Sequence, residues 1–172
     1  FAGYAAYRMG LPVKNFIVGS NSNDILTRFF ETGNMEVKDV VPTISPSMDI
    51  QISSNFERLL FELSNRDGKA VAATMSQFRK NGHFSANKDI MRKTHEIFRS
   101  KRYTDLETSE VISIHHKITG SLLDPHTAVG LAAGRACNAD NSSPLVVLAT
   151  AHPAKFPSAV KAATNVQPSL PK

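Results

Sequence analysis

Phe16-Ile-Val-Gly-Ser-Asn-Ser-Asn-Asp-Ile-Leu-Thr-Arg-Phe-Phe-Glu-Thr-Gly33 is the stretch whose pattern decides the fold. Phe16 to Val18 is a short apolar strand, and Gly19 to Asn23 is a polar loop. Asp24 is a residue that caps helices, because its carboxylate accepts from the free N–H groups of a first turn; the helix it opens runs through Phe30 and ends at Gly33. Upstream, Phe1 to Gly10 reads as helix, with Pro12 as a stop signal. Helix, strand, polar loop and helix in that order are the mark of a doubly wound α/β sheet. No Ser, Thr, Asp or Asn stands before Phe1 to satisfy the first N–H groups. The expectation is that a segment upstream of Phe1 supplies that cap, making the chain a fragment.

Farther along, Val40-Val41 is a candidate strand ended by Pro42. Ser54-Asn-Phe-Glu57 has the spacing of a capping box, and its helix sets Phe56, Leu59, Leu60 and Leu63 on one face. Residues 67–80 and 88–100 read as two more helices, separated by Asn81-Gly82. Thr104-Asp-Leu-Glu107 is a second capping box, opening a helix with Val111, Ile114 and Ile118 inward and Gly120 at its end. Leu145 to Ala149 is expected to be a buried strand, followed by a polar loop and a helix starting near Phe156.

The chain has 172 residues, 41% of them hydrophobic, enough for one domain with a sizeable core. No apolar run has the length of a membrane span, and no secretory signal opens the sequence. The single Cys137 excludes an internal disulfide and fits a reducing, cytoplasmic setting. The net charge of +5 is scattered over Arg79-Lys80, Arg92-Lys93 and Arg99-Ser-Lys-Arg102. Without interleaved aromatic residues as stacking platforms these read as solvated helix surface, not a nucleic-acid face.

Three polar clusters and one strand end could carry chemistry. Asp124-Pro125-His126-Thr127 opens the small-residue helix 128–136. Capping and backbone preference account for Asp124 and Pro125 but leave His126 and Thr127 at the positive end of the helix dipole, where an anion is welcome. Ser45-Pro-Ser47-Met-Asp49-Ile-Gln51 is a loop before a capped helix. Asn21 to Asp24 follows the first strand. Thr150 and His152 are the first polar side chains beyond Leu145 to Ala149, where open α/β sheets bind ligands, although a capped turn explains them equally. His115-His116 are adjacent and cannot chelate one metal as an i, i+4 pair would. No metal site is expected.

Phe1-Ala-Gly-Tyr-Ala-Ala, Asn23-Asp-Ile-Leu26, Ser45-Pro-Ser-Met-Asp-Ile-Gln51, Ser53-Ser-Asn-Phe-Glu-Arg-Leu-Leu60, Asp124-Pro-His-Thr-Ala-Val-Gly130 and Ala149-Thr-Ala-His-Pro-Ala-Lys-Phe156 together resemble threonine synthase of the longer bacterial and fungal type. The resemblance implies an α/β, tryptophan-synthase-β-like fold (pyridoxal-phosphate fold type II), here only its carboxyl-terminal part, with a helical insertion. It divides the chain into 1–53, part of the cofactor-binding core; 54–120, mainly helical; 121–164, a return to the core with a wall of the cofactor pocket; and 165–172, a loose tail.

The activity so implied is conversion of O-phospho-L-homoserine and water into L-threonine and phosphate, with pyridoxal 5'-phosphate as the electron sink. Thr150 would hydrogen-bond the pyridine nitrogen, with Asp124, Pro125, His126 and Thr127 beside the ring. Asn23, Asp24, Ser47, Asp49 and His152 are the candidates for the substrate pocket. The Schiff-base lysine and the loop that cradles the cofactor phosphate belong to an upstream segment, and Lys155 does not replace that lysine. No catalytic residue is therefore expected within these 172 residues, which would need the amino-terminal part of the same protein as their partner. Two alternatives stand beside this reading: a non-catalytic remnant serving as a binding module, and another fold-type-II lyase such as threonine dehydratase.

Overall fold

The computed structural model describes residues 1–138 and 143–170. Its elements follow the order α1 (Ala2–Arg8), β1 (Phe16–Ser20), α2 (Ile25–Thr32), β2 (Asn34–Glu36), α3 (Ser54–Leu63), α4 (Gly68–Asn81), β3 (His83–Ser85), α5 (Lys88–Ile97), β4 (Phe98–Arg102), α6 (Asp105–Thr119), α7 (Pro125–Cys137) and α8 (Pro157–Thr164). Single 3₁₀ turns form at Pro46–Met48 and Pro153–Lys155. β1 pairs in parallel with β4, from Phe16 opposite Phe98 to Ser20 opposite Arg102. β2 pairs antiparallel with β3.

Successive residues of a strand point to opposite faces, and β1 uses both. Ser20 faces α2, where its hydroxyl accepts from Thr27 at 2.9 Å. Gly19 faces α7: a Cβ placed on it would meet Val129 Cγ1 at 2.9 Å, the Val129 carbonyl at 3.0 Å and Ala133 Cβ at 3.3 Å. Helix α7 can lie this close because its inner face is built from Val129, Ala132 and Ala133, all buried. Gly19→Ala is therefore expected to cost about 1–3 kcal/mol, because a backbone carbonyl cannot yield as a side-chain tip can. A thermal melt checks this, and an unchanged midpoint would contradict so close an approach.

The main core lies on the α2 side. Phe29 is fully buried and meets Phe56 edge-on with ring centroids 4.6 Å apart. Phe30 stacks on Phe98 at 5.3 Å, and Phe98 lies 5.4 Å from Phe16, its register partner. The expected α3 stripe of Phe56, Leu59, Leu60 and Leu63 is buried as a set. Met35 of β2 and Phe84 of β3 close the far end. Aromatic rings bury large areas and favour such tilted contacts, so this cluster stabilises most of the first hundred residues.

Several expectations are corrected. Residues 98–100, expected in the helix 88–100, belong instead to β4, because burying Phe98 against Phe16 outweighs the helix-forming Arg and Lys beside it. Leu145 to Ala149 runs alongside α7 without ladder bonds; its Leu145 packs where a Cβ on Gly134 would stand, but Val146 and Leu148 are 79% and 71% exposed. No described strand lies beside it to bury its other face.

Val40-Val41 is not a strand either. The Asn23 side chain takes the place of a partner, donating to the Val41 carbonyl at 2.8 Å and accepting from the Val41 N–H at 2.9 Å. In α6 the buried residues are Thr108 and Ile112, while Ile114 and Ile118 face outward, because α6 packs on α7 and α8 through a different stripe.

Capping also divides. Ser53, not Ser54, caps α3, accepting from Phe56 N–H at 3.3 Å, and Glu57 pairs with Arg79 instead. Asp24 precedes α2 without a capping bond. The Thr104–Glu107 box on α6 forms as expected. There the Thr104 backbone N–H, then its hydroxyl, hold the Glu107 carboxylate below the usual carboxylate range. A carboxylate depressed in the folded state adds stability above its unfolded value of about 4.3 and loses it as pH falls through the lower folded value. Glu107→Gln is thus expected to flatten that acid limb of a pH–stability curve, lowering stability modestly at neutral pH and leaving it nearly unchanged below the folded value.

The basic patches are largely neutralised by exposed pairs, including Arg92 with Asp89 at 2.8 Å and with Glu96 at 2.6 Å. None of the described helices is long and apolar enough to cross a membrane. Pro168, in the carboxyl-terminal tail, is buried.

Candidate functional site

A cavity of about 390 Å³ opens between α1, β1, α2, the turn Pro46–Met48 and α3. Tyr4, Phe16 and Leu26 form apolar wall, and Asn23, Ser47 and Asn55 form its polar part. Leu148 also touches it, which brings the carboxyl-terminal run to the same place as β1. This is a concave, mostly apolar space with a few convergent polar groups, the usual form of a small-molecule site. No lysine lines it among the described residues.

Beside the cavity lies a buried polar cluster at the start of α7. Asp124 is 1% exposed and caps the helix, accepting from the N–H groups of His126 at 2.9 Å and Thr127 at 3.4 Å. The same carboxylate accepts from His126 Nδ1 at 2.9 Å and from the Thr127 hydroxyl. The positive end of this helix is therefore already occupied by the chain's own anion. Pro125, at the first helical position, is buried and needs no N–H partner.

His126 reaches further. Its Nε2 accepts from the Ser47 N–H at 3.2 Å, and its ring lies 4.6 Å from Phe156. Thr127 Oγ1 accepts from the Thr150 N–H at 3.2 Å. Among the described residues nothing engages the Thr150 hydroxyl, which lies at an exposed position. Asp124, His126, Thr127, Thr150 and Ser47 thus form one constellation.

The remaining candidates divide between the cavity and its supports. Asn23 lines the cavity, yet its amide is committed to Val41 and, at 2.9 Å, to Asp49. Asp24 stands away from the cavity lining, paired with Arg28 at 2.9 Å and Arg102 at 3.7 Å. Asp49 is a staple: it accepts from Asn21 at 2.7 Å, from the Thr43 hydroxyl at 2.7 Å and from the Thr43 N–H at 2.9 Å. His152 is exposed and caps its own 3₁₀ turn through Ala154 N–H at 3.2 Å. Lys155 is exposed on the same turn.

Sequence reasoning placed Asn21 in a polar cluster without giving it a role, and missed Thr43. Asn21 is 1% exposed, and its amide reaches Thr43, Ser45 and Asp49 together. Two Asn residues spaced by one at a strand end are the available signal; nothing marks Thr43. The His115 and His116 Nδ1 atoms are buried without a hydrogen-bond partner among the described residues. Burial, then Arg135 and His116, pushes the His115 imidazole below its ordinary range. No group of three potential metal ligands gathers among the described residues.

Comparison with known proteins gives a consistent relationship. Residues 127–172 match the family described as Threonine synthase, C-terminal. The threonine synthase of Pseudomonas aeruginosa is 49% identical over 99% of this chain and 37% of its own length. The crystal structure of a PLP-bound threonine synthase from Brucella melitensis superposes with a TM-score of 0.95 at 50% identity, over 99% of this chain and 37% of that one. The yeast threonine synthase structure superposes with a TM-score of 0.85 at 41% identity, covering 94% of this chain and 35% of that chain. The chain thus spans a little over a third of the length of the relatives it matches.

Proposed function

We propose, from the premise that this chain belongs to the threonine synthase family with the mixed α/β fold of its carboxyl-terminal portion, that it forms one wall of a pyridoxal-phosphate site. The parent activity is conversion of O-phospho-L-homoserine and water into L-threonine and phosphate. A single observation carries the reading. The Asp124–His126–Thr127 cluster grips the backbone of Thr150 beside the cavity and leaves its hydroxyl uncommitted.

The residues present fit a pyridine ring on one side only. The Thr150 hydroxyl would donate to the ring nitrogen, a neutral contact that leaves that nitrogen without a proton. Because Thr127 holds the Thr150 backbone, little further ordering is needed on binding. Pyridoxal phosphate, when bound, supplies an electron sink for negative charge at the substrate carbons. The apolar wall of Tyr4, Phe16 and Leu26 would keep water from that charge, and Ser47, on the polar part of the lining, would be available to an anionic substrate.

The lysine that anchors the cofactor would come from the part of the relatives' length that this chain does not span. The same part would cover Val146 and Leu148, which are 79% and 71% exposed.

The test is phosphate release from O-phosphohomoserine by the product of the complete reading frame. Pyridoxal-dependent release and a cofactor absorbance band are expected, with release lowered roughly tenfold by Thr150→Ala, as for one lost hydrogen bond. The 172-residue chain alone should release none. A folded complete product with neither band nor phosphate release would overturn the reading.

A further inference from the structure

We infer that His126 is a positioning residue: a neutral imidazole fixed in one tautomer, tying the Pro46–Met48 turn, whose Ser47 and Met48 line the cavity, to the backbone of Thr150. The partners decide the tautomer. A backbone amide can only donate, so Nε2, 3.2 Å from the Ser47 nitrogen, is the unprotonated acceptor. A carboxylate can only accept, so Nδ1, 2.9 Å from Asp124 Oδ1, carries the proton. Phe156, with ring centroids 4.6 Å away, holds the imidazole in place, and only 7% of that side chain is exposed.

A second arm converges on Asp124 from the other side, its donors pointing toward the same carboxylate. The Thr127 hydroxyl gives its one proton to Asp124 Oδ2, which leaves its lone pairs for the Thr150 N–H at 3.2 Å. Four bonds therefore run from Ser47 through His126, Asp124 and Thr127 to Thr150, each with a single allowed donor. Exchanging the two imidazole nitrogens sets N–H against N–H at Ser47 and a bare nitrogen against the carboxylate. Such directed buried chains reinforce one another and are costly when partly satisfied. A shift of the turn that carries Ser47 is consequently felt at Thr150, across 79 residues of sequence between Ser47 and His126. The inference leans on the proposed cofactor role only for what the Thr150 hydroxyl faces; the chain of bonds stands on its own geometry.

The test is made on the full chain without cofactor, by ¹⁵N-detected imidazole spectra and amide hydrogen exchange. The spectra should show Nδ1 protonated and Nε2 accepting. His126→Asn, which keeps a donor at the Nδ1 position but loses the acceptor facing Ser47, should accelerate Ser47 amide exchange about tenfold and Thr150 amide exchange by less. His126→Gln, which keeps only the acceptor near the Nε2 position, and His126→Phe, which keeps only the ring packing on Phe156, should each accelerate Thr150 amide exchange about tenfold. Val18, in β1, serves as the internal control for an intact fold. An Nε2-protonated ring, or equal Thr150 exchange in the Asn and Gln variants, overturns the inference. Failure of the complete protein to take up pyridoxal phosphate, with the Thr150 pattern intact, would sink the cofactor role and leave this positioning role standing.

Discussion

Asp124→Ala is expected to destabilise the chain by about 3–5 kcal/mol, with a matching fall in the urea midpoint. Loss of an N-cap side chain alone costs about 1 kcal/mol. Here the same carboxylate also receives the His126 ring proton and the Thr127 hydroxyl, both inside a cluster where Asp124 is 1% exposed. Each buried donor left without a partner adds about 1–3 kcal/mol, less whatever the helix regains by relaxing. Asp124→Asn separates the contributions, because its one oxygen keeps the cap but presents an amide to the other donors; an intermediate loss of about 1–2 kcal/mol is expected. A loss below about 1 kcal/mol for the alanine variant would mean that water satisfies the cluster and that capping is all Asp124 contributes.

The legible parts of this fold were those set by near neighbours in sequence. The α3 stripe, the Thr104–Glu107 box, the Gly33 stop and the Asp124–Pro125 helix start each depend on groups within a turn or two of one another, and each is present. What escaped depends on remote partners. Residues 98–100 continue a helical pattern until Phe16 is placed opposite Phe98, 82 positions away by their numbers. Val41 looked like a strand because its true partner is a side chain, Asn23, which no strand pattern anticipates.

The candidate site divides in the same way. Asp124, His126 and Thr127 were identified on adjacent residues, and the structure brings them to Thr150 and Ser47, which only the fold can do. Asp24 was singled out for the chemistry of its carboxylate, but Arg28 and Arg102 consume that charge away from the cavity lining. Leu145 to Ala149 has the composition of a buried strand, yet its Val146 and Leu148 are 79% and 71% exposed.

Asp49→Ala is the second change expected to have a large effect, about 2–4 kcal/mol, and it separates two roles for the loop before α3. Between β2 and α3 the backbone has no regular element beyond the turn Pro46–Met48, so side chains must take the place of a ladder. Asp49 does this from one end. Its Oδ1 accepts from Asn21 at 2.7 Å, Asn23 at 2.9 Å and the Thr43 hydroxyl at 2.7 Å, and its Oδ2 accepts from the Thr43 N–H at 2.9 Å. Removing the carboxylate leaves those donors competing for fewer acceptors, Asn21 being too deeply buried to turn to water. Because Asn23 also carries Val41, the loosening should spread along the loop, and amides from residue 37 to 50 should lose protection before those of β1 or α3. That order of exchange is the deciding measurement. A side chain that instead contacted substrate would leave both stability and loop exchange unchanged on truncation, and would matter only when ligand is present. The short distances to Thr43 and to the two asparagines, with Asp49 absent from the cavity wall, favour the staple.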